Sequence, residues 1–323
     1  MKGVILSGMQ PTGQLHLGNY EGALKNWVRL QDEYEMYLCI VDWHSLTSDY
    51  NDTTGLKERV KQMAIDYLAA GLDPNKCAIF TQSEVKEHAE LHLLFSMITP
   101  VSWLERVPSY KEKTVELGLD SYGFLGYPLL QAADILVYKA DTVPVGKDQL
   151  PHIEFTREVA RRFNNIYGKV LPEPEALLTS SPVVPGIDGR KMSKSYNNDI
   201  RIADSEEVTA AKLKKMFTDP QKLRKGDPGR PEICPVYDLH RIYNPAHEEI
   251  VEPCKSGELG CVSCKKNLTE YLNQALAPVR ALRTEIEKDD SKIWNILKDG
   301  ASRARVKASQ TMADVRKAMR IDW

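Results

Sequence analysis

The fold is decided first by residues 4–19, VILSGMQPTGQLHLGN, in which a strand-like apolar run passes into a glycine-containing turn and then into a helical pattern. Glycines let the backbone approach a ligand closely, and the N-terminus of a following helix favours a phosphate group. The turn has neither the spacing of dinucleotide-binding folds nor that of P-loop proteins, which argues against both classes. It predicts a strand, a turn and a helix, with a candidate phosphate site at the turn.

Further strand-like runs follow the first one (residues 4–7), at residues 37–41, 78–82 and 142–145. Between them, apolar residues recur at helical spacing and end at a glycine stop signal, as in Leu56, Val60, Met63, Tyr67 and Gly71. Strands that alternate with helices indicate an α/β fold with a Rossmann-like, doubly wound parallel sheet. In such sheets ligands bind beyond the carboxyl ends of the strands.

The length of 323 residues fits two domains of ordinary size. A proline-rich connection at residues 171–174 leads to a loop at 185–198, and strand signals become rare beyond residue 201. We therefore expect a catalytic domain over residues 1–200, with a short connective insertion at roughly 84–140, and a mostly α-helical domain over 201–323. The last helix could pack back on the first domain. Helical spacing in the second domain is clearest at Leu268, Leu272, Ala275, Val279 and Leu282.

The formal net charge of −2 is not that of a strongly basic nucleic-acid binder. No apolar run approaches the length of a membrane span, and no signal-peptide pattern precedes the first strand, so we expect a cytoplasmic protein with no membrane partner. Basic residues are concentrated at 212–230, where a solvated helix face and a local RNA-facing patch are alternative interpretations. They are Lys212, Lys214, Lys215, Lys222, Arg224, Lys225 and Arg230, against Asp219 and Asp227.

A second candidate phosphate site lies at residues 186–195, GIDGRKMSKS. Two lysines three residues apart, Lys191 and Lys194, could clamp a polyphosphate, although such a loop by itself is also typical of an ordinary exposed segment. Taken together, HLGN at 16–19 and KMSKS at 191–195 resemble the two signature motifs of class I aminoacyl-tRNA synthetases. The second motif matches letter for letter, and the order and separation of the two also fit.

This resemblance implies adenylate formation, in which an amino acid carboxylate attacks the α-phosphorus of ATP and pyrophosphate leaves. His16 is then expected to donate to phosphate oxygens, and Lys191 and Lys194 to hold the pyrophosphate with Mg²⁺ as a helper. Lys111 would contact a phosphate. Such chemistry requires positioning and charge stabilisation rather than a covalent catalyst. The ATP-binding residues that the resemblance implies are Gln10, Thr12, Gly18, Asn19, Gly146, Asp148, Lys191, Met192, Ser193, Lys194 and Ser195.

Three further strings, CIVDWH at 39–44, YPLLQAADIL at 127–136 and VPVGKDQ at 143–149, resemble tryptophanyl-tRNA synthetases over the length of the chain. The resemblance implies that Asp134 accepts the indole N–H of tryptophan, that Tyr127 and Gln149 hold its ammonium group, and that Gln10 orients it. His44 would lie beside the pocket, where a core histidine is the alternative interpretation. Gln131 stands where many family members have methionine, which implies a polar contact there.

Tyrosyl-tRNA synthetases share this fold and are the nearest alternative. They carry a tyrosine on the first strand for the substrate phenol, whereas this chain has Leu6 at that position. An indole N–H only donates, so one carboxylate suffices for it, which favours tryptophan. A non-catalytic tRNA-binding paralogue and a related nucleotidyltransferase acting on a small molecule are two further hypotheses. The partners implied are tRNA(Trp), L-tryptophan and ATP, in a homodimer.

Four of the six cysteines, Cys234, Cys254, Cys261 and Cys264, are separated by 19, 6 and 2 residues, whereas Cys39 and Cys77 stand alone in apolar segments. Disulfides are rare in cytoplasmic enzymes, so the cluster predicts a metal site, for which Zn²⁺ and an iron–sulfur cluster use the same thiolates. Some bacterial tryptophanyl-tRNA synthetases carry a [4Fe–4S] cluster on a similar stretch, and this resemblance favours the cluster, with Zn²⁺ as the alternative. Its distance along the chain from residues 191–195 predicts no part in adenylation.

Overall fold

The computed structural model describes residues 1–108, 110–111, 114, 118–119, 121–178, 183–224 and 226–323. Within them, five parallel strands form one sheet in the order β3-β2-β1-β4-β5. The strands are β1 (Val4–Met9), β2 (Glu35–Ile40), β3 (Cys77–Thr81), β4 (Thr142–Val145) and β5 (Glu175–Leu178). The α/β, Rossmann-like prediction is therefore confirmed, and each of the four predicted strands lies within two residues of its expected bounds.

The fifth strand was not predicted from the sequence. β5 has only four residues and pairs with β4 at one edge of the sheet, in register Val143↔Ala176 and Val145↔Leu178. Its side chains are half-buried or exposed, so it lacks the continuous apolar run that marks a strand buried on both faces.

The helices connect the strands and continue into the C-terminal part of the chain. A π-helical turn, Tyr20–Leu24, joins the first two helices into one continuous element. The α-helices are α1 (Leu17–Asn19), α2 (Lys25–Leu30), α3 (Asp42–Asp49), α4 (Leu56–Ala69), α5 (Glu87–Ser96), α6 (Val101–Glu105), α7 (Tyr122–Leu136), α8 (Leu150–Tyr167), α9 (Glu206–Lys215), α10 (Pro235–Tyr243), α11 (Val251–Lys255), α12 (Cys261–Ile286) and α13 (Asp290–Met319).

The sheet is covered on both faces. Ile5 belongs to a core cluster that includes Trp27 and residues of α4 and α12, whereas its neighbour Leu6 belongs to a second cluster with residues of α7, α8 and α13. Successive side chains of a strand point to opposite faces, which explains why neighbours enter different cores. Both faces are apolar, so the polar groups of a site are left to the strand ends.

All five residues named for their helical spacing lie in α12, but two of them lie off its buried face. Ala275 and Leu282 are exposed, and Leu276 and Arg283 are buried in their place, alongside Leu268, Leu272 and Val279. An arginine is not expected on an apolar stripe from its residue type. Arg283 can be buried because its guanidinium forms an ion pair with the buried carboxylate of Asp66 on α4.

The last helix, α13, packs on β3. A Cβ atom at Gly300 would overlap the backbone of Ile79, so only glycine permits this approach, and Arg303 donates to the carbonyl of Cys77 at 3.2 Å. The last helix of the chain therefore contacts the outermost strand of the sheet. Among the described residues, no helix combines the length and the apolar character needed to cross a membrane.

Candidate active site

A cavity of about 740 Å³ opens at the carboxyl ends of β1, β2 and β4, where a ligand is expected in a doubly wound sheet. It gathers residues from six separate parts of the chain. The predicted site residues that line it are Leu6, Gln10, His44, Tyr127, Gln131, Asp134, Gly146, Asp148 and Gln149. Local geometry favours this grouping, because Tyr127, Gln131 and Asp134 are spaced four and three residues apart on α7 and so share one face.

The turn after β1 is held by close backbone packing and by a cap. A Cβ atom at Gly8 would overlap the carbonyl of Cys39 on β2, so glycine brings the two strand ends together. His16 then caps α1, because its Nδ1 accepts from the amide of Asn19 (3.3 Å) while Asn19 Oδ1 accepts from the amide of His16 (3.2 Å). A Cβ atom at Gly18 would lie 2.9 Å from the His16 ring, so a side chain there would displace the imidazole.

The imidazole of His16 is held in one protonation state. Burial, followed by the charge of Lys194, lowers the pKa of His16 to about 4, so the ring is neutral at pH 7. Since Nδ1 accepts the Asn19 amide, the single ring proton sits on Nε2. His16 can therefore donate from Nε2, which is the role that the resemblance implied for it.

The two signature segments meet in space. Lys194 Nζ donates to the carbonyl of Gly13 at 2.9 Å and to Thr12 Oγ1 at 3.3 Å, across 181 residues of sequence. Burial lowers the pKa of Lys194 to about 8. Met192 is buried against the same region, whereas Lys191 is exposed. Lys194 therefore lies against the turn that precedes His16.

Asp134 lies at the base of the cavity and is almost fully buried. Its Oδ1 accepts from His88 Nδ1 (2.7 Å) and Gln82 Nε2 (2.8 Å), and its Oδ2 accepts from His44 Nε2 (2.8 Å) and Gln82 Nε2 (2.9 Å). Burial alone would raise the pKa of Asp134. The electrostatic influence of His88 and the hydrogen bonds from His44 and His88 outweigh it and hold the pKa of Asp134 well below its usual range.

Three residues of this network were missed in the sequence. Gln82 and His88 are fully buried, and His88 Nε2 lies 2.7 Å from the hydroxyl of Tyr138, which is buried too. No local pattern marks them. Gln82 follows β3, His88 lies in the first turn of α5 and Tyr138 follows α7, so the three residues come together only in the folded protein. An available signal was the position of Gln82, a polar residue directly after the carboxyl end of β3, where ligands bind in such sheets.

Some predicted site residues lie outside the cavity. Lys111 is exposed and is not among the residues that line it, and its neighbours 109, 112 and 113 are outside the described residues. Thr12, Gly18 and Asn19 belong to the His16 turn beside the cavity, and Ser193 and Ser195 belong to the loop that carries Lys194. The phosphate contact of Lys111 therefore stays a prediction.

The four clustered cysteines line one small cavity in the C-terminal part of the chain, which we call the thiol cavity. Burial and the neighbouring thiols raise the pKa of Cys264 to about 12, and burial also raises the pKa of Cys234 and Cys254. Among the described residues, no group of three or more His, Cys, Asp or Glu side chains is arranged to hold a metal ion. The cysteines thus converge, but the sulfur atoms as placed do not form a coordination shell.

The basic stretch at 212–230 does not form one continuous patch. Lys222 is buried beside the thiol cavity, where its Nζ donates to the carbonyl of Cys254 at 3.0 Å. Arg230 pairs with Asp219 at 2.6 Å, and Lys212 with Asp204 at 2.6 Å. Lys214, Lys215 and Arg224 are exposed, and Lys225 lies outside the described residues. An RNA-facing role could therefore rest only on part of the stretch.

The thiol cavity lies closer to the signature loop than the sequence separation implied. A Cβ atom at Gly189, two residues before Lys191, would lie 3.6 Å from Pro235, which directly follows Cys234. The amide of Phe217 also donates to the carbonyl of Ile187 in the same turn, at 2.7 Å. Distance along the chain was therefore a poor measure of distance in space.

Comparison with known proteins identifies the family to which the chain belongs. The model of the family "tRNA synthetases class I (W and Y)" matches residues 2–277. The tryptophan–tRNA ligase of Thermotoga maritima is 50% identical, with 98% of this chain and 99% of the relative covered, and that of Aquifex aeolicus is 45% identical with the same coverage.

A solved structure of tryptophanyl-tRNA synthetase from Campylobacter jejuni, complexed with ADP and tryptophan, aligns with a TM-score of 0.88 and 36% identity over 98% of this chain and 99% of that one. A tyrosyl-tRNA synthetase from Archaeoglobus fulgidus, at 22% identity and a TM-score of 0.67, shares the fold alone. The chain therefore belongs to the class I aminoacyl-tRNA synthetases of the tryptophan and tyrosine family, and within it to the tryptophanyl-tRNA synthetases.

Proposed function

We propose that the chain is a tryptophan–tRNA ligase, which joins tryptophan to ATP as tryptophanyl-adenylate and then transfers tryptophan to tRNA(Trp). The observation that carries the proposal is an ionised carboxylate, Asp134, in a cavity whose lining combines apolar and polar side chains and includes Gln10, two and three residues before the Thr12 and Gly13 that Lys194 contacts. Such a cavity suits an apolar ring with a single N–H donor. The names of the related proteins agree with this substrate.

The proposed contacts to tryptophan are those that the family resemblance implies, at residues that line the cavity. Asp134 accepts the indole N–H, while Tyr127 and Gln149 hold the ammonium group and Gln10 orients the amino acid. Gln131, one turn from Tyr127, offers a polar contact beside the ring, and His44 borders it. Leu6 supplies no phenol partner, which disfavours tyrosine.

The proposed chemistry is a displacement at phosphorus. The carboxylate of tryptophan attacks the α-phosphorus of ATP, the bond to the β-phosphate oxygen breaks, and pyrophosphate leaves with Mg²⁺. Neutral His16 donates from Nε2 to a phosphate oxygen, and Lys194, Lys191 and Lys111 stabilise the departing charge. The remaining nucleotide contacts are assigned to Thr12, Gly18, Asn19, Gly146, Asp148, Met192, Ser193 and Ser195.

Amino-acid-dependent exchange of pyrophosphate into ATP, measured across the standard amino acids, tests this function. Tryptophan should support exchange, and Asp134→Ala should weaken tryptophan selection by about 1.5–3 kcal/mol, the value of a hydrogen bond to a charged group. Exchange with tyrosine would favour a tyrosyl-tRNA synthetase-like enzyme. No exchange with any amino acid would favour a non-catalytic tRNA-binding paralogue.

We also propose that Cys234, Cys254, Cys261 and Cys264 hold a [4Fe–4S] cluster, with Zn²⁺ as the alternative. The donor set fits, because all four thiols face one cavity, and Gly229 leaves room beside Cys254, where a Cβ atom would lie 2.6 Å from Sγ. Buried Lys222 lies close by and can offset thiolate charge. When bound, the cluster would supply local folding free energy, since its ligands do not converge in the unfolded chain.

Metal analysis after anaerobic purification tests the cluster. About four irons per chain and a brown colour support it, following the cluster type. One zinc per chain without iron would favour the alternative.

The remaining assignments concern organisation and location. We propose a cytoplasmic homodimer with a catalytic domain over residues 1–200, containing the insertion at roughly 84–140, and a helical tRNA-binding domain over 201–323. Large apolar side chains are exposed at Leu93, Met97, Val101 and Tyr122, all within the insertion, which suits a contact with a second copy. Light scattering would measure the oligomeric state, and Met97→Lys should favour the monomer.

A further inference from the structure

We propose that His44 occupies, in the free protein, the hydrogen-bonding position on Asp134 that the ligand N–H takes, so that tryptophan binding exchanges one donor for another. The proposal deepens the proposed function, since it rests on Asp134 receiving the indole N–H. It makes His44 a specificity-determining residue and Gln82 and His88 positioning residues.

The first step is the count of donors on Asp134. An ionised carboxylate has about four lone-pair positions. Each of its two oxygens already accepts from two donors at 2.7–2.9 Å, with Gln82 Nε2 shared between them. A further N–H therefore either crowds this arrangement or replaces one of its members.

The second step is which donor can leave. Gln82 and His88 are fully buried and do not line the cavity, whereas His44 and Asp134 both do. Gln82 is fixed from behind, because its Oε1 accepts from the amide of Trp43 at 3.1 Å, which turns Nε2 toward Asp134. His88 is fixed by Tyr138 at 2.7 Å. A ligand arriving through the cavity meets only the His44 position.

The third step is the consequence for selectivity. Because Asp134 accepts only, His44 Nε2 carries the proton in the free protein, and the carboxylate charge is satisfied before the ligand arrives. A ligand with an N–H restores the bond that it displaces. A ligand of the same shape without the N–H leaves His44 on the carboxylate, because displacing His44 would strand a buried charge with no donor to replace it.

Two ligands of nearly equal shape separate this role from packing: L-tryptophan and β-(benzothiophen-3-yl)alanine, in which sulfur replaces the N–H. The quantity measured is the ratio of their dissociation constants for the full-length protein, analogue over tryptophan. In His44→Ala this ratio should rise about 12- to 160-fold, the value of one hydrogen bond to a charged group, because the competing donor is gone. His44→Phe, which keeps a ring against the ligand, should raise it similarly.

A purely structural His44 would weaken both ligands alike, and an unchanged or lower ratio in both variants would overturn the exchange. Asp134→Asn distinguishes failure of the proposed function. If that variant leaves the ratio unchanged, Asp134 does not receive the N–H at all.

A second readout does not depend on affinity. Protein with ¹⁵N-labelled histidine has seven histidines, and His44→Phe identifies the His44 signal. Tryptophan should shift the His44 Nε2 resonance away from its carboxylate-bonded position, whereas the benzothiophene analogue should leave it in place. Equal shifts with the two ligands would show that ring contact, rather than donor exchange, moves His44, and would refute the proposal.

Discussion

The cavity that contains Asp134, which we call the tryptophan pocket, and the thiol cavity differ in the protonation state of their buried groups. At Asp134, buried donors from three other elements keep a carboxylate ionised. In the thiol cavity, burial raises the pKa of the Cys234, Cys254 and Cys264 thiols, that of Cys264 to about 12. The first site is electrostatically complete in the free protein, whereas the second becomes a set of thiolates only when a cation compensates the charge. This difference suggests that the pocket is preformed and that the thiol cavity is organised by its ligand.

One buried ion pair joins α12 to the part of the chain that carries His16, and its loss is expected to give the largest effect. Arg283 lies on α12, the helix that begins at Cys261, and pairs with Asp66, whose Oδ2 accepts from the amide of Leu15 next to His16 at 2.7 Å. Arg283→Met would leave the buried Asp66 carboxylate unpaired, which costs about 3–5 kcal/mol. Urea unfolding at pH 7 would measure this loss.

Two controls sharpen that prediction. Arg241 is exposed and 3.9 Å from Asp238, so Arg241→Met should change the free energy of unfolding by no more than about 0.5 kcal/mol. Adding Asp66→Asn to Arg283→Met removes the stranded charge and should recover part of the loss. A cost below 1 kcal/mol for Arg283→Met would mean that the loss of Arg283 does not leave an uncompensated charge on Asp66.

The next effect concerns the preformed site. Lys194 is expected to act as pyrophosphate departs, so Lys194→Ala should lower kcat for exchange about 10²–10³-fold, as for the loss of one transition-state donor. The exposed Lys214 provides the control, because Lys214→Ala should leave kcat unchanged. If Lys194→Ala alters only the KM for ATP, the lysine contributes uniform binding and this assignment is wrong.

The features of the fold and of the site that could be predicted from the sequence are those that have a local sequence pattern. β1 to β4 are apolar runs, and the two signature segments were recognised by resemblance. β5 was missed because a half-exposed edge strand has no such run. Gln82, His88 and Tyr138 were missed because a buried polar network is assembled from several elements, and no single residue of it shows a spacing. The nearness of Pro235 to Gly189 depends on tertiary packing, which chain distance does not report.

Protonation of Lys194 predicts a smaller effect of pH. Burial lowers the pKa of Lys194 to about 8, and the charged form is the one needed, so kcat/KM for ATP should fall about tenfold per pH unit above pH 8. His16, with a pKa of about 4, stays neutral over the same range and therefore does not contribute to the pH dependence there. Lys194→Arg should remove the alkaline fall, because guanidinium keeps its proton there. A fall that persists in this variant would have to come from another group.

The smallest effect is expected for the influence of the thiol cavity on adenylate formation, measured as pyrophosphate exchange. Cys261→Ser should lose iron and loosen residues around 234–264, since a ligand-organised site has little to hold it when a thiolate is missing. Exchange should nevertheless change by no more than about twofold, or roughly 0.5 kcal/mol, because His16, Lys194 and Asp134 keep their partners. Aminoacylation should fall more than exchange, as only that step requires the tRNA to dock.

The contact of Pro235 with the Gly189 turn makes this a demanding test, since disorder at Cys234 has a short path to the signature loop. Ser263→Ala, at an exposed position on the same turn of α12, serves as the matched control and should leave iron content and both activities unchanged. Equal loss of exchange and aminoacylation in Cys261→Ser would show that the thiol cavity supports the signature loop directly. The two regions would then form one functional unit, and the contrast between a preformed pocket and a ligand-organised cavity would not hold for catalysis.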